Sequence, residues 1–211
     1  MLAGRPMQRR PVVTSNLPPT TRPPTSEEEI RAYTVGELQP HAAPITLVDY
    51  DPAWPGLFAR DAERIRGALG ERVLRLEHTG STSVPGLAAK PCIDMTMVVP
   101  DSSDESTYVP ALEAAGYVLW IREPDWDEHR VFKGPDTNVN LHVFSPGSSE
   151  VERMVGFRDW LRTHDDDRDL YLRTKRELAA QEWQYVQNYA DAKSTVVEEI
   201  ITRAGLPAGP A

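Results

Sequence analysis

The sequence predicts an α+β fold: a mixed β-sheet core with packed helices and a C-terminal helical layer. Three observations carry this expectation. Between residues 45 and 144, short apolar and β-branched runs are interleaved with helical-period segments. Glycine and proline punctuate those runs at the places where turns are needed. From residue 150 onward only helical spacing remains, and strands followed by a helical cluster pack as a sheet with a helical layer.

The elements follow in order. Eight of the nineteen prolines fall in residues 1–44, in runs such as Leu17-Pro18-Pro19. Proline fixes φ and lacks the amide donor, so this stretch is expected to be an extended, mostly disordered leader. Within it, Ser26 followed by Glu27, Glu28 and Glu29 predicts a short helix over 26–33. The domain proper is expected over 45–211. Residues 45–49 read as a short strand, and Asp51-Pro52 as a helix start with Asp51 as cap. Trp54, Phe58, Ile65 and Leu69 then repeat at helical spacing until Gly70. Strands are expected at 73–78, 92–99 and 117–121, with a helix over 106–115 closed by Gly116. Gly134-Pro135-Asp136 separates 130–133 from 139–144 and predicts a hairpin. Three helices are expected at 150–163, 166–181 and 188–204, with Val196, Val197, Ile200 and Ile201 on the inner face of the last.

Composition and charge narrow the function. The 211 residues are 40% hydrophobic and 26% charged, which suits one domain with its own core. No apolar run is long enough to cross a bilayer, so no membrane partner is expected. Cys92 is the single cysteine, which excludes an internal disulfide framework and suggests a cytoplasmic location. Net charge is −9; residues 1–44 hold five basic and four acidic side chains, so the body is more acidic than the whole. Such a body repels a phosphodiester backbone, and long nucleic acid is not an expected partner. A small phosphorylated or acidic ligand remains compatible if cations line one pocket. Nothing in the sequence sets the oligomeric state.

Chemistry concentrates in the run Glu77-His78-Thr79-Gly80-Ser81-Thr82-Ser83-Val84-Pro85-Gly86-Leu87-Ala88-Ala89-Lys90-Pro91-Cys92-Ile93-Asp94. A strand ends at a Gly-Ser turn, a loop follows, and the next strand presents a carboxylate. Gly80 permits close approach of a ligand, Ser81, Thr82 and Ser83 supply hydroxyls, and successive amides in such a turn form an anion nest. Asp94, on an otherwise apolar strand, needs a partner; Lys90 or a metal ion would serve.

This run resembles the signature of the GrpB family. So do Asp49-Tyr50-Asp51-Pro52-Ala53-Trp54, Leu141-His142-Val143-Phe144-Ser145-Pro146-Gly147, Tyr189-Ala190-Asp191-Ala192-Lys193 and Glu198-Glu199-Ile200, so that the resemblance spans 45–204. It implies a nucleotidyltransferase-like fold, in which a Gly-Ser turn holds a triphosphate and strand carboxylates hold divalent metal, Mg or Mn. Gly80 and Ser81 match the phosphate-holding pair, and Asp94 the first metal carboxylate. Thr96 stands at the second acidic position, and the third falls near Asn140 or His142, so the carboxylate set is incomplete.

Around that core, His142 shares a strand face with Asn140 and is expected to assist as metal ligand or acid/base. Arg130 and Lys133 on the hairpin are candidates for neutralising phosphate. Tyr171, Lys175 and Arg176 either close over the site or are helix-surface charge. Glu77 and His78 read as structural, Asp165-Asp166-Asp167 as a helix-start cluster, and Trp160, Trp183 and Tyr185 as packing. The leading expectation is a nucleotidyltransferase-like protein binding a nucleoside triphosphate or related molecule. A non-catalytic binding module, or a ligase or acyl-transfer enzyme on the same scaffold, are the alternatives.

Overall fold

The computed structural model describes residues 24–38, 40 and 44–208. Seven helices are described: α1 (Glu27–Tyr33), α2 (Trp54–Leu69), α3 (Val109–Ala114), α4 (Ser149–Thr163), α5 (Asp165–Ala179), α6 (Val186–Ala192) and α7 (Ser194–Ala204). The strands are β1 (Arg75–Thr79), β2 (Ile93–Val98), β3 (Val118–Glu123), β4 (His129–Lys133) and β5 (Val139–Phe144). They form one sheet in the order β1-β2-β5-β4-β3. Only the β2–β5 pair is parallel, so the sheet is mixed, as expected. No described helix is long and apolar enough to cross a membrane.

Strand alternation assigns each residue to a face. Leu76, Ile93, Met95, Met97, Leu119, Phe132, Leu141 and Val143 point to one side and pack against Trp54, Ile65, Leu69 and Leu112 of α2 and α3. The intervening residues Glu77, Asp94, Thr96, Asn140, His142 and Lys133 point to the other side, beneath α4–α7. Arg158 of α4 ties that layer down by donating to the Glu77 carboxylate and to the His78 carbonyl. A second apolar cluster, Val84, Leu87, Leu161, Tyr171, Val196 and Ile200, joins the loop after β1 to the helices.

Several local expectations change. Residues 45–49 form no strand, only an isolated bridge from Val48 to Ala89. α2 starts at Trp54 rather than at residue 51; Asp51 instead caps a preceding turn, its carboxylate accepting the Ala53 amide. The helix expected over 106–115 is shorter, because residues Glu105–Thr107 form a separate 3-10 turn before α3. The expected last helix is broken near Lys193 into α6 and α7.

The proline-rich stretch lies mostly outside the described residues, and the described part carries the helix expected over 26–33. Residues 1–23, 39 and 41–43 lie outside the described residues, and so does the leader expectation for them. The described part is folded: Ser26 and Glu29 form a capping box at the start of α1, and Ile30 is buried. Thr34 bridges to Ile121, and the Val35 amide donates to the Trp120 carbonyl, so this segment covers the edge of β3. At its other end the Thr25 amide donates to the Asp191 carboxylate.

Candidate functional site

β1 ends at Thr79, and Gly80 turns the chain with φ 65° and ψ −175°, a conformation that favours glycine. A Cβ at Gly80 would lie 2.2 Å from Asp94 Oδ2, so the carboxylate packs directly on the glycine backbone. The turn Ser81–Ser83 is a single 3-10 turn, and its first amides have no partner within it. The bend and the aspartate therefore open on the same hollow. That hollow is a cavity of about 700 Å³, lined by Gly80, Ser81, Lys90, Asp94, Lys133 and His142 among others. Its volume suits a ligand of nucleotide size.

The expected site residues divide into three groups. Gly80, Ser81, Lys90, Asp94, Lys133 and His142 all line the cavity. Asp94 and Lys133 are coupled through Asn140, whose Nδ2 donates to Asp94 Oδ1 at 2.8 Å while its Oδ1 accepts from Lys133 Nζ at 2.6 Å. Burial lowers the pKa of Lys133.

Thr82 and Ser83 are a correction, since both hydroxyls are spent on the fold. Thr82 Oγ1 donates to the Cys92 carbonyl and faces His78, and Ser83 Oγ donates to the Gly80 carbonyl. A 3-10 turn carries successive side chains around its axis, so only Ser81 of the three faces the ligand side.

Arg130 is the second correction. It pairs with Val143 in the sheet register and so lies on the opposite face from His142 and Lys133. Its guanidinium is buried and bonded to Glu105 and Glu128. Arg122 and Arg130 together hold Glu105 at a pKa of about 2, the hydrogen bond from Arg122 contributing most.

Lys175, read above as either closing over the site or helix-surface charge, is neither exposed nor part of the cavity wall but lies behind Ser81. Lys175 of α5 is 2% exposed; its ammonium donates to the Ala88 carbonyl at 2.7 Å and to Ser81 Oγ at 3.1 Å, over the Tyr171 ring. Burial pushes its pKa down to about 7. Arg176, its neighbour, is exposed and does not line the cavity. Arg153, Arg158 and Lys193 add positive charge to the wall. Arg153 is paired with Glu198 and Arg158 with Glu77, whereas among the described residues Lys90, Lys133 and Lys193 form no ion pair. The far wall is aromatic and apolar, with Tyr33 from α1, Trp120 from β3 and Tyr185 and Tyr189 from the α6 region. The buried Tyr189 hydroxyl has no hydrogen-bond partner among the described residues.

His142 stands at the end of a hydrogen-bonded chain. Its Nδ1 meets His129 Nε2 at 3.0 Å, and His129 Nδ1 meets Glu123 Oε2 at 2.7 Å. Burial lowers both imidazole pKa values to about 3 and raises that of Glu123 to about 7.

The donors fit a two-ion metal centre poorly. Thr96, at the second acidic position, is fully buried and bonded to Thr79 Oγ1 at 2.8 Å. No group of three or more His, Cys, Asp or Glu side chains comes together as a cation site among the described residues. Asp94 could join substrate phosphates in holding one ion, the way magnesium is commonly bound. Cys92 lines the cavity, but burial raises its thiol pKa to about 12, which removes the thiolate as a nucleophile.

Comparison with known proteins agrees with this fold and this motif set. A UPF0157 protein from Halalkalibacterium halodurans is 64% identical over 181 residues, covering 86% of this chain and 93% of that protein. The crystal structure of a conserved protein GrpB from Enterococcus faecalis superposes with a TM-score of 0.67 at 30% identity, covering 75% of this chain and 96% of the other. A dephospho-CoA kinase from Mycolicibacterium paratuberculosis is 30% identical over 171 residues, 69% of this chain but 42% of the kinase. The family profile described as GrpB protein matches residues 44–203, and the chain belongs to the GrpB family.

Proposed function

We propose that the cavity binds a phosphorylated small molecule with a planar group, foremost a nucleoside triphosphate, and transfers a nucleotidyl group from it to a small hydroxyl-bearing metabolite. The observation that carries this reading is the asymmetry of the cavity: one carboxylate, Asp94, sits among Lys90, Lys133 and Lys193 on a protein whose net charge is −9. Local cations of this kind concentrate an anion that the protein as a whole repels. The phosphates lie over Gly80 and Ser81, with Lys175 reinforcing Ser81 from beneath and Lys133 alongside. The planar group rests on Trp120, Tyr185 and Tyr189. Asp94, together with phosphate oxygens, would hold a divalent ion, which when bound supplies charge neutralisation at the phosphates. The kinase relative named above acts on dephospho-CoA; because this chain matches less than half of that protein, only a nucleotide-related ligand is drawn from it.

Calorimetry with nucleoside triphosphates, with and without magnesium or manganese, tests the reading. Binding in the micromolar range is expected with the ion present, weakened about 10–100-fold in Asp94→Ala. Without the ion, the same variant binds at least as well as the parent, because a repelling charge is gone. Equal binding by both proteins in the presence of the ion would remove Asp94 from the site. A second reading, binding without turnover, is favoured by the buried Thr96 where a second carboxylate is wanted. Absence of pyrophosphate release with a panel of hydroxyl acceptors, while binding persists, would select it.

A further inference from the structure

Glu123, His129 and His142 form a line running from the edge strand β3 through β4 to the cavity strand β5. A neutral imidazole has one donor nitrogen and one acceptor nitrogen, so two imidazoles joined end to end share a single sense of hydrogen bonding. That sense is set by whatever fixes the outer end. Glu123, when ionised, can only accept, which places a proton on His129 Nδ1. His129 Nε2 then accepts from His142 Nδ1, and the lone pair of His142 is left on Nε2. Nε2 makes no hydrogen bond within the described protein, and His142 lines the cavity.

The middle of the chain cannot reorient without loss of packing. His129 is 4% exposed; its ring lies end to end with that of His142, nearly parallel to it with 5.2 Å between centroids, and stacks on Phe144 at 4.7 Å, and Trp126 meets it edge-on. Trp126, Phe144 and Val151 belong to one small core cluster that backs this arrangement.

We propose that Glu123 and His129 are positioning residues that hold His142 in its Nδ1-protonated tautomer, so that Nε2 serves as the proton acceptor for a substrate hydroxyl in the cavity. The proposal rests on the nucleotidyl-transfer reading for its substrate class, not for its geometry. In the step it serves, the hydroxyl proton passes to His142 Nε2 as the hydroxyl oxygen bonds to phosphorus, and the bond from phosphorus to the leaving phosphate oxygen breaks with its electron pair on that oxygen. The imidazolium so formed keeps its Nδ1 proton on His129, with the Glu123 carboxylate behind it.

The surrounding charges are compatible with this sense of the chain. Arg130 and Asp127 flank His129, Asp94 and Lys133 face His142, and Tyr33 of α1 approaches Glu123. Burial keeps both imidazoles neutral in the ligand-free protein, as a tautomer chain requires; the proton-accepting step needs the negative charge of bound phosphate to raise the basicity of His142.

Long-range proton–nitrogen correlation spectra of histidine-labelled protein, free of ligand, read the tautomer directly. They are recorded at pH of about 8.5, above the Glu123 titration at about 7. His142, assigned by comparison with a His142→Asn sample, is expected to carry its proton on Nδ1. Glu123→Ala and His129→Phe, the latter keeping the aromatic stack, are both expected to lose that preference. A wild-type His142 protonated on Nε2 overturns the proposal, and so does an unchanged tautomer in either folded variant. Triphosphate calorimetry on the same samples separates the two ideas: absent binding with the expected tautomer sinks the nucleotide reading and leaves the relay standing.

Discussion

The two faces of the five-stranded sheet are built from alternate residues of the same strands, yet one is solid and the other hollow. On the solid face Met95, Met97, Leu141 and Phe132 are fully buried against α2 and α3. On the hollow face, one residue along each strand, Asp94, Asn140, His142 and Lys133 surround the cavity. The period of two allows one strand to anchor a core and carry chemistry at once. It also means that a residue's role is decided by its parity. Arg130 and Lys133 are both basic residues on β4, three apart and hence on opposite faces; one is an internal strut to Glu105 and the other a wall of the cavity. If this comparison is right, substitutions on the two faces separate stability from binding.

Gly80 is the strongest place to break it, because there the two functions meet. Gly80→Ala puts a Cβ 2.2 Å from the Asp94 carboxylate at a φ that L-residues avoid. We expect a loss of about 2 kcal/mol in stability, read from denaturant unfolding. Triphosphate binding should fall below detection, because Asp94 must move to make room. A variant that bound triphosphate normally would show that the carboxylate and the turn do not act as one site.

The pair on β4 sharpens the same contrast at smaller cost. Arg130→Met leaves Glu105 and Glu128 without one of their partners and is expected to cost about 1–3 kcal/mol in urea unfolding, with triphosphate affinity unchanged. Lys133→Met should do the reverse: stability within about 1 kcal/mol of the parent and affinity reduced roughly 10–100-fold. Equal effects of the two substitutions on binding would contradict the division of faces.

How much of this was legible in the sequence follows from the same geometry. The turn at Gly80, the strand bearing Asp94 and the hairpin carrying His142 could be read from periodicity and punctuation, because those are local signals. The inclusion of Arg130 failed although alternation was available: counting from His142 through the hairpin register places it on the wrong face. Thr82 and Ser83 failed because a 3-10 turn turns hydroxyls inward, where they satisfy backbone carbonyls. Lys175 carried a signal that could have been used, since Tyr171, Lys175 and Leu178 share one buried stripe of α5, and a lysine on such a stripe is rarely surface charge. The contribution of α1 was not legible, because proline content around it describes the chain's stiffness and says nothing of the strand edge it covers.

Lys175 gives the subtlest test, since it is a charge beneath the hollow face. Its pKa is lowered by burial from the usual lysine value to about 7. Between about pH 7 and the unfolded value near 10.4, the unfolded chain therefore binds more protons than the folded one, and stability rises with pH across that window. Below pH 7 both states are protonated, and the cost of the buried charge is present in full. Comparing wild type with Lys175→Met removes other titrations from the difference: the wild type should gain on the variant as pH rises from about 7 to 10, and the difference should be flat below. Thermal unfolding across that range checks it. Phosphate binding should weaken the trend, because an anion over Ser81 favours the charged lysine; with saturating triphosphate, the wild type is expected to keep its proton to higher pH and to lose part of that slope. A slope that ligand leaves untouched would mean that Lys175 supports the Ala88 carbonyl alone and has no electrostatic link to the cavity.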